Sequence, residues 1–188
     1  MGGWLGRILL LSGCLVSGMV LADDPFLKIK GDGCCNGKGE VVLTRAEFEA
    51  LPQTEVKTQT PWTEGDRTYR GVLLRELVKI YGLKSGEVKA VAINDYWAAV
   101  PLEDGDKYAV LLAEKQDGKA LTLRNKGPLW IIYPLSDHPE LNKELYHSRM
   151  VWQLTAIESK YDAARQVSEL DPDGDCLFGG RHLVGLEL

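Results

Sequence analysis

Between Val88 and Tyr133 no apolar run exceeds about six residues, and a turn signal closes each one. Val88 to Ile93 is apolar on both faces, as a central strand should be. Asn94-Asp95 turns the chain, and Tyr96 to Val100 continues as a paired strand. Pro101 to Lys107 reads as a polar loop, Tyr108 to Ala113 as another strand, and Asp117-Gly118 as a hairpin turn before Leu121 to Leu123 returns. Lys126-Gly127-Pro128 breaks the chain ahead of Leu129 to Tyr133, an apolar strand. This stretch is punctuated too often for long helices and excludes an all-helical fold.

Helical spacing occurs on either side. Glu40 to Leu43 is a short strand. Thr44 then caps a helix, and Glu47 three residues on completes a capping box. Phe48 and Leu51 make its apolar side, and Pro52 ends it. Thr54 to Thr60 is β-rich, and Pro61 to Asp66 is a loop. Arg70-Gly71 leads into a helix over Leu73 to Tyr81, with Gly82 as its stop. Pro139 to Tyr146 reads as a third helix, capped near Asp137 or His138, and Met150 to Ile157 as the closing strand. Many strands with about three short helices give an α+β fold.

The ends have another character. Met1 to Arg7 carries one positive charge, Ile8 to Leu21 is apolar apart from small residues, and Val20-Leu21-Ala22 suits a signal peptidase. Residues 1–22 therefore read as a Sec-type signal peptide of an exported, periplasmic protein. Leu11-Ser12-Gly13-Cys14 also fits a lipobox, which makes a tethered lipoprotein the minority alternative. No later apolar stretch approaches the ~20 residues of a membrane helix, so the mature chain is expected to lack a transmembrane span. Residues 23–39 read as an irregular lead-in, 40–160 as the domain, and 161–188 as a tail without clear period.

With 45% hydrophobic and 26% charged residues and a net charge of −5, the composition is ordinary for a globular domain. No basic run points to nucleic acid. Beyond the leader the cysteines are Cys34, Cys35 and Cys176, an odd number for an oxidising compartment. Adjacent cysteines rarely bond each other, so Cys176 with one of the pair is the expected bridge. Asp171-Pro172-Asp173-Gly174-Asp175 opens like a calcium loop, but its twelfth position is His182 rather than a carboxylate, and it reads as a solvated acidic turn. His138, His147 and His182 lack zinc spacing and read as surface residues. Trp62, Tyr96, Trp97, Trp130 and Tyr133 stand at strand ends or beside Gly and Pro. Aromatics there, converging with Asn94, Asp95 and Lys126, would line a small-molecule pocket.

A set of short motifs runs in a fixed order. Leu51-Pro52-Gln53, Thr60-Pro61-Trp62, Tyr69-Arg70-Gly71-Val72-Leu73-Leu74, Asn94-Asp95-Tyr96 and Val100-Pro101 are followed by Leu111-Leu112-Ala113, Asp117-Gly118, Lys126 to Pro134 and Trp152-Gln153-Leu154. In this order, over about Glu40 to Ser159, the chain resembles the molybdopterin-binding domain of sulfite-oxidase-type oxidoreductases. The resemblance implies a mixed-sheet α+β fold with a pterin pocket built from loops. It also implies a molybdenum atom held by the pterin dithiolene and one cysteine thiolate.

The stretch matching that cysteine is Thr54 to Pro61, with Thr58 to Thr60 nearest, and it holds none. Cys34 and Cys35 come too early in the order. The family's cofactor-contacting His-Gly-x-Pro-x-Arg segment reads Lys126-Gly127-Pro128-Leu129-Trp130. A threonine hydroxyl cannot stand in for a soft thiolate, and an indole cannot bind phosphate bidentately. The leader has only Arg7 and no Arg-Arg pair, whereas family enzymes are exported folded and loaded by the twin-arginine route.

These features point to a non-catalytic binding or sensing domain, with molybdopterin open only through the resemblance. Its expected pocket is Thr60, Trp62, Asn94, Asp95, Tyr96, Lys126, Gly127 and Trp130. Lys126 would face a small anionic molecule that Asn94 orients. The alternatives are a molybdenum oxidoreductase with an altered ligand, and a partner subunit of a membrane sensor or redox enzyme.

Overall fold

The computed structural model describes residues 24–31, 34–84 and 86–159. The leader, the lipobox, Cys176, the acidic turn at 171–175, His182 and the tail lie outside the described residues. Two five-stranded sheets share one core. The first contains β1 (Leu27–Lys30), β2 (Glu40–Leu43), β5 (Glu87–Ala92), β6 (Trp97–Pro101) and β10 (Leu154–Ser159), in the order β2-β1-β10-β5-β6. The second contains β3 (Gln53–Thr58), β4 (Arg67–Leu73), β7 (Leu111–Gln116) and β8 (Lys119–Ala120), with β9 (Trp130–Ile132) also paired to β7. The α+β expectation therefore holds. Among the described residues no helix is long and apolar enough to cross a membrane.

Two helices form where their local signals place them. α1 (Arg45–Glu49) starts at Thr44, whose backbone N–H donates to Glu47 Oε2 at 2.8 Å, while the Glu47 N–H donates to Thr44 Oγ1 at 3.2 Å. α2 (Leu74–Tyr81) buries Leu74 and Leu77 and ends at Gly82, which is left-handed at φ +67°.

Several segments differ from the sequence reading. The return strand expected over Leu121–Leu123 is only the two-residue β8, because Thr122 and Asn125 close a capping box that starts a 3-10 turn at Leu123, and the closing strand expected from Met150 begins at Leu154. The lead-in contains β1, whose alternation Leu27-Lys28-Ile29-Lys30 buries every second residue between β2 and β10. The Arg67–Leu73 stretch is a strand rather than the approach to a helix. Gly71 reads locally as a breaker, but its lack of a Cβ is what lets β4 lie against β7, since a Cβ there would overlap the Leu112 carbonyl. The expected polar loop after Pro101 is α3 (Leu102–Lys107). The expected helix from Pro139 to Tyr146 is instead a single 3-10 turn, Pro139–Leu141, followed by α4 (Glu144–Arg149).

Distant partners explain α3. Asp104 on it is buried and accepts 2.8 Å bonds from the Tyr133 hydroxyl and from Arg149 Nη1. Burial and the adjacent Asp104 carboxylate hold the Tyr133 phenol protonated well above its ordinary range. This triad ties α3 to α4 and to Tyr133, which immediately follows β9.

Glu114 on β7 is wholly buried, 3.3 Å from Lys115 Nζ and 3.8 Å from Arg45 Nη1. Desolvation, then the neighbouring Glu49 carboxyl, pushes its pKa above the usual carboxylate value. A carboxyl raised in the folded state takes its proton on folding, so its contribution to stability grows as pH falls from its folded value toward its unfolded one. Two outcomes are expected in denaturant titrations. Gly71→Ala lowers stability by about 1–3 kcal/mol through overpacking. Glu114→Gln removes part of the gain in stability that the wild type shows on acidification.

Candidate functional site

The segment from Met150 to Leu154 joins the two sheets. The Trp130 indole N–H donates to the Met150 carbonyl at 3.0 Å, and the Ile131 N–H donates to the Val151 carbonyl at 2.9 Å. Trp130 and Trp152 form an antiparallel bridge, the Leu154 N–H reaches the Leu129 carbonyl, and the Ile93 N–H reaches the Gln153 carbonyl. The segment thus pairs with β9 of one sheet and with the end of β5 in the other.

A cleft of about 390 Å³ opens beside this seam. Trp62 and Trp152 form its aromatic wall with Tyr96, Asn94 and Ala92 from the β5–β6 turn, while α4 supplies Glu144, His147 and Ser148. The volume is at the low end for small-molecule sites, and a mostly apolar lining with a few polar groups is usual for them. Trp62 stands edge-on to Trp152 at 5.0 Å and to His147 at 6.1 Å between ring centres. The Asn142 Oδ1 can only accept, so His147 Nε2 donates to it at 2.9 Å, which leaves Nδ1 as the imidazole's other polar atom. The Tyr96 hydroxyl donates to the Ser148 carbonyl at 3.0 Å and links the turn to α4.

The expected pocket residues fall into three groups. Trp62, Asn94 and Tyr96 line the cleft. Thr60, Lys126 and Trp130 support it from behind. Thr60 is buried, its Oγ1 shares a hydrogen bond with Thr63 Oγ1 at 2.9 Å, and it accepts from the Trp62 N–H. Trp130 is wholly buried, 6.0 Å from the Trp62 ring and 5.6 Å from the Tyr69 ring. The Lys126 ammonium lies 5.2 Å over Trp130 and 5.8 Å over Trp152, a cation–π arrangement rather than an open anion contact.

Asp95 and Gly127 serve the backbone. Asp95 takes φ +63° at the exposed tip of the β5–β6 turn. Gly127, in a cis bond to Pro128, is packed where a Cβ would overlap the Leu121 backbone.

Several lining residues escaped the sequence reading. His147, expected as a surface residue, is half-buried in the cleft wall; His138 instead sits 3.2 Å from Glu140 and edge-on to Tyr108. Ser148 lies beyond Tyr146, where the expected helix ends, and Glu144 carries no motif in the sequence. A second concavity of about 830 Å³, between Phe26, Arg45, Leu121 and Pro128, gathers none of the expected residues.

The residues around the cleft do not fit the molybdenum group that the resemblance implies. Thr58 and Thr60 are buried with their hydroxyls engaged, Thr58 donating to the Gln59 carbonyl at 3.1 Å and accepting from the Ser136 N–H at 2.9 Å. No three His, Cys, Asp or Glu side chains among the described residues are grouped to hold a metal ion. The Cys34–Cys35 pair follows β1 at the Val88–Ser159 end of the first sheet, whereas the cleft lies at the Ala92–Leu154 end, about 15 Å away along strands of this length.

Asp104→Ala leaves Arg149 without its buried partner and releases α4. A loss of about 3–5 kcal/mol is expected in chemical denaturation, with a changed near-ultraviolet aromatic spectrum. No protein-family model matches this chain, and no curated protein matches it.

Proposed function

We propose that this protein is an exported small-ligand binding or sensing domain, of sulfite-oxidase-type fold, that works without molybdenum. One observation carries the reading. A cleft walled by Trp62, Trp152 and Tyr96, with Asn94 and His147 as polar groups, gathers three of the eight residues expected for the pocket, and no cysteine lines it. Such walls suit a planar ring by offset or edge-on stacking. Asn94 and His147 suit a polar or singly anionic edge, and Glu144 disfavours a multiply charged one. On charge, the phosphate-bearing tail of a pterin cofactor is the poorer fit.

Export and periplasmic location rest on the leader, and the fold family rests on the ordered motifs from Leu51 to Leu154. Metal analysis and acid-release fluorescence of the full chain from its native compartment test the reading. Neither molybdenum nor a pterin fluorophore is expected at stoichiometric level. One molybdenum per chain would contradict the proposal and restore the oxidoreductase alternative.

The partner-subunit reading has its own support. Ile93, Tyr96 and Trp97 at the β5–β6 turn and Leu145 on α4 are each about half exposed; Tyr96 lines the cleft, and Leu145 follows the lining residue Glu144. An apolar rim of this kind suits a protein partner. A Trp97→Glu, Leu145→Glu double variant is expected to keep its stability and to lose co-purification with a membrane sensor or redox partner. Unchanged co-purification would remove this reading.

A further inference from the structure

The loop between β1 and β2 carries two adjacent buried cysteines. A trans peptide sets neighbouring Cα atoms 3.8 Å apart, closer than the ~4.4–6.8 Å of ordinary disulfides. Successive side chains of an extended chain also point to opposite faces. An adjacent pair can therefore meet only if the backbone turns sharply between them.

Here it does. Cys35 and Asn36 are both left-handed, at φ +60° and +57°, a conformation uncommon outside glycine. The turn is clamped by backbone hydrogen bonds. Gly37 and Gly39 donate to the Cys34 carbonyl at 3.0 and 3.4 Å, Lys38 donates to the Cys35 carbonyl at 3.3 Å, and Gly31 donates to the Gly39 carbonyl at 2.9 Å. Both side chains enter the same core, and both are buried. Their sulfurs lie 2.6 Å apart as free thiols, and Cys35 Sγ is also 3.8 Å from the Ile29 carbonyl.

We propose that Cys34 and Cys35 are a site of oxidative modification, closing a vicinal disulfide with each other rather than pairing with Cys176. The oxidant is a low-molecular-weight or protein disulfide. A thiolate of the pair attacks one sulfur of the donor, forming a mixed disulfide and expelling the first donor thiol. The second cysteine then attacks the sulfur of the first, and the other donor thiol leaves. The pair loses two electrons and two protons, and the donor disulfide is reduced to thiols. Exchange takes place as the chain folds, because burial and the neighbouring Cys34 push the Cys35 thiol up to about 12 in the folded protein and leave little thiolate to react. The bridge leaves Cys176 without a partner in this pair.

The test uses the full chain, unfolded and refolded with oxidised and reduced glutathione, then alkylated in denaturant without reductant and digested with trypsin. The peptide Gly31–Lys38 is expected to be lighter by two hydrogens than its dithiol form and to accept two alkyl groups only after reduction. The peptide Gln166–Arg181, which holds Cys176, is expected to be alkylated before reduction. Cys176→Ser should leave the first peptide unchanged, and Cys34→Ser should expose one alkylatable thiol at Cys35. Two alkyl groups on Gly31–Lys38 before reduction, or a cross-link between the two peptides, would overturn the proposal.

Discussion

The Met150–Leu154 segment is the constraint on which the rest of the structure depends. It leaves α4, pairs with β9 through the Trp130–Trp152 bridge, and enters β10 between β1 and β5. The Trp130 indole N–H to the Met150 carbonyl fixes its depth. Without that bond a buried indole donor would lose its partner in the core. The cleft is the space left outside this seam.

The aromatic rings form a continuous line from core to surface. Tyr69 meets Trp130, Trp130 meets Trp62, and Trp62 meets Trp152 and His147, each pair 5.0 to 6.1 Å apart. The edge-on pairs among them add about 0.5–1.5 kcal/mol each beyond the area they bury, and Trp62–Trp130 is tilted. They hold Trp62 in place although it is partly exposed. Lys126 completes the arrangement by covering Trp130 and Trp152 with its ammonium. On the far side, the Asp104–Arg149–Tyr133 triad holds α4 and so sets where His147 stands.

Local signals were legible where the cause is local. The Thr44–Glu47 capping box, the Gly82 stop and the Asn94-Asp95 turn form as their residue types require. The strict alternation of Leu27 to Lys30 was equally readable but was masked by the surrounding Gly, Lys and Asp. Other features have distant causes. α3 looks like a loop because its burial depends on Arg149 and Tyr133, and Gly71 looks like a breaker because its partner is Leu112 on another strand. The same division runs through the site. Trp62, Asn94 and Tyr96 were found from turn position and aromatic character. Lys126 and Trp130 were assigned to the ligand but sit behind its wall, and His147 was missed because α4 is one turn later than its apolar spacing suggests.

The cleft's aromatic wall is the center of the account, and tryptophan fluorescence reports on it directly. Titration of the wild type with planar heteroaromatic monocarboxylates should give a saturable change in emission for at least one compound. Trp62→Ala, which loses three ring contacts and is assayed well below its lowered unfolding midpoint, should weaken that binding by about tenfold, the equivalent of ~1.4 kcal/mol. Equal affinity in the variant, or no saturable response from any such compound, would contradict the claim that this cleft is the ligand site.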